Sequence, residues 1–456
     1  MHRLKTLGRA PGQPVPPENR HMLLGTQRIN EKGHLEIGGC DAVELARSFG
    51  TPLYVMDEAD IRRRCREFRR AFETRHADSA IAFAAKAFLN LAMCRIADQE
   101  GLWMDVASDG ELRTAVTAGF PAEKLYLHGN YKKEEELSQA LEMGVGFIVV
   151  DSEWELEVLR RVASCLNKRA RILIRVTPGV ESHTHTYIET GQIDNKFGLP
   201  VATGQALRAV RAALAMPEIE LVGLHCHIGS QVFVLKPFET ATRIMVSLAA
   251  QIRDELGFTV REINMGGGLG VRYRSSDSPP SADEYADDIV SSARDSARRH
   301  KFPMPHLVVE PGRAIVGEAG TTLYSVGVVK VIPGARTYVS VDGGMSDNPR
   351  PALYQAVYEA IVANKADKEP SEKVTIAGRH CESDILIDGI ELPHIEPGDI
   401  LAVQTTGAYN FTMASNYNRL PRPAVVLVTD GRADISVERQ TEEDLLRGEI
   451  IPERLA

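Results

Sequence analysis

Short apolar runs recur along residues 80–313, each followed by a turn and then by an amphipathic stretch. The runs lack polar alternation, which favours parallel strands that are covered on both faces. The stretches between them carry apolar residues three and four apart, as a helix with one buried face does. Eight such units predict a (β/α)8 barrel of the TIM type, because an open doubly wound sheet usually has fewer. The runs are AIAFAAKA (80–87), GLWMDVAS (101–108), KLYLHG (124–129), GFIVVDS (146–152), ARILIRVTP (170–178), ELVGLHCHIGS (220–230), EINMGGG (262–268) and HLVVEPGR (306–313).

The pattern changes after residue 313, where β-rich segments are separated by Gly, Pro and Asp turns. Residues 314–456 are therefore predicted to form a second, mainly antiparallel β domain beside a barrel of residues 56–313. Strand-like pieces in residues 22–55 are expected to join the β domain from the other end of the chain. Residues 1–21 have no apolar stretch and are interpreted as a flexible leader, not a secretory signal.

Composition narrows the class of protein. The 456 residues are 43% hydrophobic and carry a formal net charge of -9. This charge argues against nucleic acid or an anionic membrane as the main partner, and no apolar run is long enough to span a bilayer. A cytoplasmic location is expected. The six cysteines form no CxxC pair, so zinc ribbons and disulfide scaffolds are not expected and most thiols are predicted to be buried.

Polar residues collect near the carboxyl ends of the apolar runs, where barrel enzymes place their chemistry. Each has an ordinary structural explanation alone, but a barrel would bring all of them to one mouth. They are Lys86, Asp105, Ser108, His128, Arg175, His227, Ser230, Gly266, Gly267, Gly268, Glu310 and Arg313.

Lys86 ends an apolar strand, so burial is expected to depress its pKa and free the amine for a Schiff base. The alternative is a lysine that extends to solvent. The glycines of NMGGGLG would let backbone N–H groups approach a phosphate. A tight turn explains them equally well, and the segment has neither the G-x-G-x-x-G nor the P-loop pattern.

HCHIGSQ places His225 and His227 on one side of a strand. Such a pair can bind metal, as in metal-dependent barrel hydrolases, but the further ligands are not evident and no metal is expected. An imidazole stacked on a cofactor ring fits His227 better, and His225 is interpreted as a buried core histidine. Glu310 needs a cationic partner, either a protonated pyridine nitrogen or the neighbouring Arg313.

Together these motifs resemble the fold-type III pyridoxal-phosphate-dependent decarboxylases, specifically the diaminopimelate decarboxylase family. The resemblance covers the barrel and most of the β domain. It is carried by FAAKAF, MDVASDGEL, TGQIDNKFG, HCHIGSQ, NMGGGLG, EPGR, DGGMSDNPRPALY, CESDIL and GAYNFTMASNYN.

The resemblance implies a role for each matching residue. Lys86 would hold pyridoxal 5'-phosphate as a Schiff base, with His227 on the ring and Glu310 on its nitrogen. Cys381 would protonate the intermediate, reaching the site with Glu382 from the partner subunit, so a homodimer with shared active sites is implied. The other cofactor-binding residues would be Asp105, Ser230, Gly266, Gly267, Gly268 and Tyr409. The substrate-binding residues would be Arg313, Arg350, Tyr354, Glu382 and Tyr409.

The implied reaction is decarboxylation of meso-2,6-diaminopimelate to L-lysine and CO2, the last step of lysine biosynthesis. Arg313, Arg350 and Tyr354 favour a substrate with a second carboxylate. Ornithine, lysine, arginine and carboxynorspermidine are alternative substrates, and a racemase or a non-catalytic homologue is a further alternative. One departure from the family concerns the turn at Cys381, because CESD lacks the glycine of the usual C-E-S-G-D.

Overall fold

The computed structural model describes residues 21–180 and 195–456. The predicted leader lies outside the described residues except for its last position, and so does most of the TGQIDNKFG motif. Within the described part of the chain, no helix is long and apolar enough to cross a membrane.

The described part of the chain begins with a small antiparallel sheet and one strand that belongs to a larger sheet. Glu58 then starts the first helix of the barrel, capped by the Asp57 side chain. The N-terminal elements are β1 (Arg28–Ile29), β2 (Leu35–Ile37), β3 (Cys40–Asp41), α1 (Ala42–Phe49) and β4 (Leu53–Asp57).

The barrel follows as alternating strands and helices. Its eight strands are β5 (Ser79–Ala84), β6 (Trp103–Val106), β7 (Leu125–Leu127), β8 (Phe147–Val150), β9 (Ala170–Thr177), β11 (Ile219–His225), β12 (Glu262–Asn264) and β13 (His306–Val309), and a short extra strand, β10 (Leu199–Pro200), follows β9. Its helices are α2 (Glu58–Glu73), α3 (Leu91–Gln99), α4 (Asp109–Thr117), α5 (Glu134–Met143), α6 (Glu153–Cys165), α7 (Gln205–Leu214), α8 (Lys236–Leu256), α9 (Ala282–His300) and α10 (Arg313–Val316).

All eight barrel strands are parallel and the sheet closes on itself. β5 pairs with β13 and with β6, while β9 pairs with β8 and with β11. The two-residue strand β10 lies beside β9 and is not part of the closed ring. Inside the ring, Tyr126 and Phe147 stack with ring centroids 4.9 Å apart. The predicted (β/α)8 barrel is therefore confirmed.

The second sheet region is formed mainly after the barrel. Most of its pairings are antiparallel, with β15 beside β17 and β4 beside β20 as parallel exceptions. The predicted mainly antiparallel β domain is confirmed. Its elements are β14 (Gly320–Ile332), β15 (Arg336–Val341), α11 (Arg350–Tyr354), β16 (Ala360–Val362), β17 (Glu372–Ala377), β18 (Ile385–Leu392), β19 (Ile400–Val403), β20 (Ala424–Thr429), β21 (Arg432–Val437) and α12 (Glu442–Leu446).

The N-terminal segment contributes one strand to this sheet. β4 lies between β14, to which it is antiparallel, and β20, to which it is parallel. The strands β1, β2 and β3 pair with one another instead, and Leu35 and Ile37 pack in a buried cluster with Leu323 of β14. The division of the chain at residues 55 and 313 stays a prediction.

Candidate active site

A cavity of about 580 Å³ opens where the barrel strands end and the β domain meets the barrel. It brings together residues from widely separated parts of the chain. The residues singled out from the sequence that line it are Lys86, His128, Arg175, His225, His227, Ser230, Glu310, Arg313, Arg350, Tyr354 and Tyr409.

Lys86 lies on the turn directly after β5, and its Nζ donates to Oδ2 of buried Asp105 at 2.8 Å. Asp105 is in reach because strand pairing sets it opposite Ala84. Burial acts to lower the pKa of Lys86, but Asp105, with Tyr409 and Glu310, holds this pKa above its ordinary value. The expectation of a depressed lysine pKa is therefore wrong, because it ignored the paired carboxylate.

Glu310, which follows β13, is buried and accepts three hydrogen bonds. His128 Nε2 and Asn264 Nδ2 donate to Oε1 at 3.0 and 2.8 Å, and His225 Nε2 donates to Oε2 at 3.1 Å. Burial lowers the pKa of His225 to about 4, so its imidazole is neutral. Although burial also acts to raise the pKa of Glu310, the two histidines hold it well below its ordinary value, and the carboxylate stays ionised.

His128, His225 and Glu310 form a group that could bind a metal ion, which is the alternative considered for the H-x-H pair. Their ligand atoms lie within 4.8 Å of one another, as a metal site would require. His227, the other half of the H-x-H pair, is not part of this group; its Nδ1 accepts from the backbone N–H of Gly267 at 3.2 Å. Burial, followed by the charges of Lys86 and Arg175, lowers the pKa of His227 well below its ordinary value.

The triple glycine runs so close to other backbone that side chains are excluded. A Cβ on Gly266, Gly267 or Gly268 would lie 2.4, 2.2 or 2.5 Å from a backbone oxygen. Gly266 and Gly268 also have positive φ values of 64° and 125°. Ser230 borders the cavity beside these glycines, and its Oγ accepts from Nη2 of Arg313 at 2.9 Å.

Four of the five predicted substrate-binding residues, Arg313, Arg350, Tyr354 and Tyr409, line the cavity. Arg313 donates to Ser230 and to the hydroxyl of Tyr273, so it is not the partner of Glu310. Arg350 begins α11 and is buried, and Tyr354 closes the same helix. Both residues line the cavity that holds Lys86.

Cys381 and Glu382 do not line this cavity. Both are exposed at the turn before β18, where the backbone N–H of Cys381 donates to Oδ1 of Asn418 at 2.9 Å. The hydroxyl of Tyr417 donates to Oε1 of Glu382 at 2.7 Å. Asp384 follows Ser383 directly, without the family's glycine between them, and has a left-handed φ of 39°.

Several residues at this site were not predicted from the sequence. Asn264 joins the glycine segment to Glu310, since its Oδ1 accepts from the backbone N–H of Gly266 and its Nδ2 donates to the carboxylate. Tyr273 and Tyr358 contact the two arginines. Asn264 is a polar residue in a predicted strand, two positions before the first glycine, which is a usable signal, but the tyrosines carry none.

The residues present fit pyridoxal phosphate. They provide a lysine amine, a buried ionised carboxylate, a neutral imidazole and a glycine segment that any Cβ would fill. The lysine suits the aldehyde of the cofactor, and the carboxylate suits its protonated ring nitrogen. The imidazole suits its ring face, and the glycine segment suits its phosphate.

The comparisons with known proteins agree with this chemistry. The profile of the family "Pyridoxal-dependent decarboxylase, pyridoxal binding domain" matches residues 58–317. The diaminopimelate decarboxylase of Bacillus subtilis (strain 168) is 50% identical over 93% of this chain and 97% of that protein. The Synechocystis enzyme of the same name is 45% identical over 99% of this chain and 97% of its own.

Solved structures give the same result. The diaminopimelate decarboxylase of M. jannaschii in complex with L-lysine has a TM-score of 0.90 and 37% identity, over 95% of this chain and all of that one. The Helicobacter pylori enzyme with L-lysine has a TM-score of 0.81 and 32% identity, over 89% and 98%.

The barrel, its β domain and the lysine–carboxylate site define a pyridoxal-phosphate-dependent decarboxylase of fold type III. Within that class, the identities over nearly the whole chain decide the family. The chain belongs to the diaminopimelate decarboxylases.

Proposed function

We propose that this protein uses pyridoxal phosphate to decarboxylate meso-2,6-diaminopimelate to L-lysine and CO2, the last step of lysine biosynthesis. The observation that carries the proposal is the meeting of Lys86, Glu310 and the two arginines Arg313 and Arg350 in one cavity. Relatives of this name match the chain at 42–50% identity, and two solved relatives hold L-lysine.

Six groups of this chain would hold and tune the cofactor. When bound, pyridoxal phosphate accepts the electron pair that the departing carboxylate leaves. Lys86 supplies the amine for its aldehyde, and Asp105 holds that amine in place. Glu310 stays ionised and would favour a proton on the ring nitrogen, while the neutral His227 would face the ring. Ser230 would provide a donor for the phosphate, together with the part of the glycine segment whose N–H groups are not bonded to Asn264 or His227.

The cations of the cavity support diaminopimelate over a diamine-forming substrate. Diaminopimelate carries a second carboxylate far from the reacting carbon, and a buried carboxylate needs cationic donors. Arg313 and Arg350 offer these donors, with Tyr354 on the same wall. Ornithine would place an ammonium group there, which two guanidinium groups would repel.

The proton donor is proposed to come from a second subunit. Cys381 and Glu382 are exposed and lie outside the cavity of their own chain, so they are available to another copy. In the resulting homodimer, Cys381 would deliver the proton that replaces CO2, and Glu382 would meet the remote ammonium group. We further propose that this dimer acts in the cytoplasm.

The substrate assignment is tested by CO2 release from meso-diaminopimelate, L-ornithine, L-lysine and L-arginine in parallel. We expect release from diaminopimelate alone, a yellow protein, and loss of colour and activity in Lys86→Ala. Lys168→Ala is the control, because Lys168 binds backbone carbonyls of Leu141 and Glu142 outside the cavity. Stoichiometric zinc without visible absorbance would contradict the proposal, as would a coloured Lys86→Ala protein.

The shared site is tested by mixing two inactive variants, Lys86→Ala and Cys381→Ala. A mixed dimer regains one intact site, so random exchange of subunits should restore about a quarter of the wild-type activity. Mixed variants that stay inactive after exchange, shown with tagged subunits, would contradict a shared site.

A further inference from the structure

Tyr273 lies between the two cavity arginines and contacts both. Its hydroxyl accepts from Nη1 of Arg313 at 2.5 Å, and its ring lies under the guanidinium of Arg350, 4.8 Å from the ring centroid. The residue is buried at 7% exposure and lines the cavity. One side chain therefore sets the position of one arginine by a hydrogen bond and of the other by a cation–π contact.

A second tyrosine completes the arrangement. Nη1 of Arg350 donates to the hydroxyl of Tyr358 at 2.7 Å, and the rings of Tyr358 and Tyr273 meet edge to face at 5.3 Å. Tyr358 is almost fully buried. Arg313 also donates to Ser230 through Nε and Nη2. A guanidinium has five N–H donors, so each arginine still has N–H groups beyond these bonds for a ligand.

The arrangement also solves an electrostatic problem. Two guanidinium groups that converge on one cavity wall repel each other, and flexible side chains would move apart. Contacts to a single rigid ring prevent this movement, so the two cations are already in place before a ligand arrives. Such preorganisation is what binding one carboxylate with two arginines requires.

The loop that carries Tyr273 is itself held. The backbone N–H groups of Tyr273 and Arg274 both donate to Oδ2 of Asp277, at 3.1 and 3.0 Å. Tyr273 is therefore placed by its backbone as well as by its side-chain contacts.

We propose that Tyr273, supported by Tyr358, is a positioning residue that makes the enzyme specific for substrates with a second carboxylate remote from the reacting carbon. It acts through Arg313 and Arg350. The inference rests on the proposed function and extends it, because it names the residue that sets the spacing of the two cations.

The test compares two inhibitors that differ only in the carboxylate. L-lysine carries the carboxylate that the arginines would bind, and 1,5-diaminopentane lacks it. In Tyr273→Phe the ring stays under Arg350 but the bond to Arg313 is lost. We expect the inhibition constant of L-lysine and the KM of diaminopimelate to rise about tenfold, as for loss of one hydrogen bond to a charged group. The inhibition constant of diaminopentane and kcat should change far less.

Two further variants keep the test decisive. Tyr358→Phe removes the hydrogen bond from Arg350, and it should also weaken the binding of L-lysine more than the binding of diaminopentane. Tyr285→Phe is the matched control, since Tyr285 is fully buried and its hydroxyl has no hydrogen-bond partner among the described residues; it should leave both inhibitors unchanged.

The outcomes separate this inference from the proposed function. A wild-type protein that releases no CO2 from diaminopimelate refutes the proposed function. If the wild type is active but Tyr273→Phe binds both inhibitors as tightly as the wild type does, the inference is overturned. It is also overturned if Tyr273→Phe loses affinity for both inhibitors equally. A selective loss of affinity for L-lysine, with the visible absorbance band intact, supports the inference.

Discussion

Nδ1 of His380 lies 2.5 Å from Oδ2 of Asp384, and the two residues flank the exposed Cys381 and Glu382. Both side chains are buried, and the other oxygen of Asp384 accepts from the backbone N–H of Met345 at 2.8 Å. The carboxylate therefore closes the turn that presents Cys381, in a segment that lacks the glycine of the family's C-E-S-G-D. The departure from C-E-S-G-D leaves a turn that is held by side-chain contacts.

Replacing Asp384 tests this role. Asp384→Ala should lower kcat by about tenfold or more, because the turn that carries Cys381 loses its hydrogen bonds, and should cost about 2–3 kcal/mol in the free energy of unfolding. The cofactor absorbance should stay, since Asp384 is not at the cavity around Lys86. Asp388→Ala is the control, as Asp388 is an exposed carboxylate on β18. A full kcat in Asp384→Ala would show that the turn is held by other contacts.

The barrel was predictable because its evidence is local. Each parallel strand is a continuous apolar run, so eight runs could be counted without knowing how they pair. The pKa of Lys86 was not predictable, because its partner Asp105 is brought near only by the register of β5 and β6. Tyr273 lies in an irregular loop with no periodicity. Its role depends on its contacts with Arg313 and Arg350, which come much later in the chain.

Removing the charge of Asp105 should change how fast the cofactor is captured. Asp105 raises the pKa of Lys86, so Asp105→Asn should leave more neutral amine at pH 7. We expect the visible band to appear about tenfold faster when pyridoxal phosphate is added to cofactor-free protein. The advantage should shrink as the pH rises towards the pKa of wild-type Lys86. An equal or slower rate at pH 7 would contradict the role given to Asp105.

Glu310→Gln should separate cofactor binding from catalysis. A neutral amide cannot keep the ring nitrogen protonated, so kcat should fall by about a hundredfold or more while the visible band remains. Absorbance and kcat, measured on the same preparation, check this prediction. A variant with near wild-type kcat would show that the ionised carboxylate is not needed.

The glycine segment gives a steric prediction. Gly267 has no positive φ, so the cost of Gly267→Ala arises from its Cβ, which would lie 2.2 Å from the carbonyl oxygen of Glu310. We expect weaker binding of pyridoxal phosphate by at least about tenfold in a titration. Gly327→Ala is the control, because its nearest neighbour is a backbone oxygen at 3.8 Å and it should bind normally.

Glu262 predicts a pH dependence of stability that is independent of catalysis. Its Oε1 accepts from the hydroxyl of Tyr126 at 2.9 Å inside the barrel, and burial raises the pKa of Glu262 from 4.5 to about 7. The folded protein holds this proton more tightly than the unfolded chain, so the free energy of unfolding falls as the pH rises between these values. Glu262→Gln should remove this fall and stabilise the protein at pH 8 by up to about 3 kcal/mol.

Urea unfolding at pH 5 and pH 8 checks the sign. Glu220→Gln is the opposite case, because the hydrogen bond from Arg261 lowers the pKa of Glu220. Loss of that carboxylate should weaken the protein slightly at pH 8. A Glu262→Gln variant that is less stable than wild type at pH 8 would contradict this prediction. It would mean that the ionised carboxylate of Glu262 stabilises the folded protein.

The place of β4 has a consequence for how the polypeptide is made. Its neighbour β20 begins at Ala424, about 370 residues after Asp57. At ribosomal speeds of about 5–20 residues per second, β20 is therefore made on the order of twenty seconds to a minute after β4. The whole barrel emerges during that interval. All five residues of β4 are buried in the finished protein. One edge of β4 can pair once β14 has been made, but the nascent chain carries the other edge unpaired until β20 has been made. Stalled or truncated products would expose LYVMD as a nucleus for aggregation.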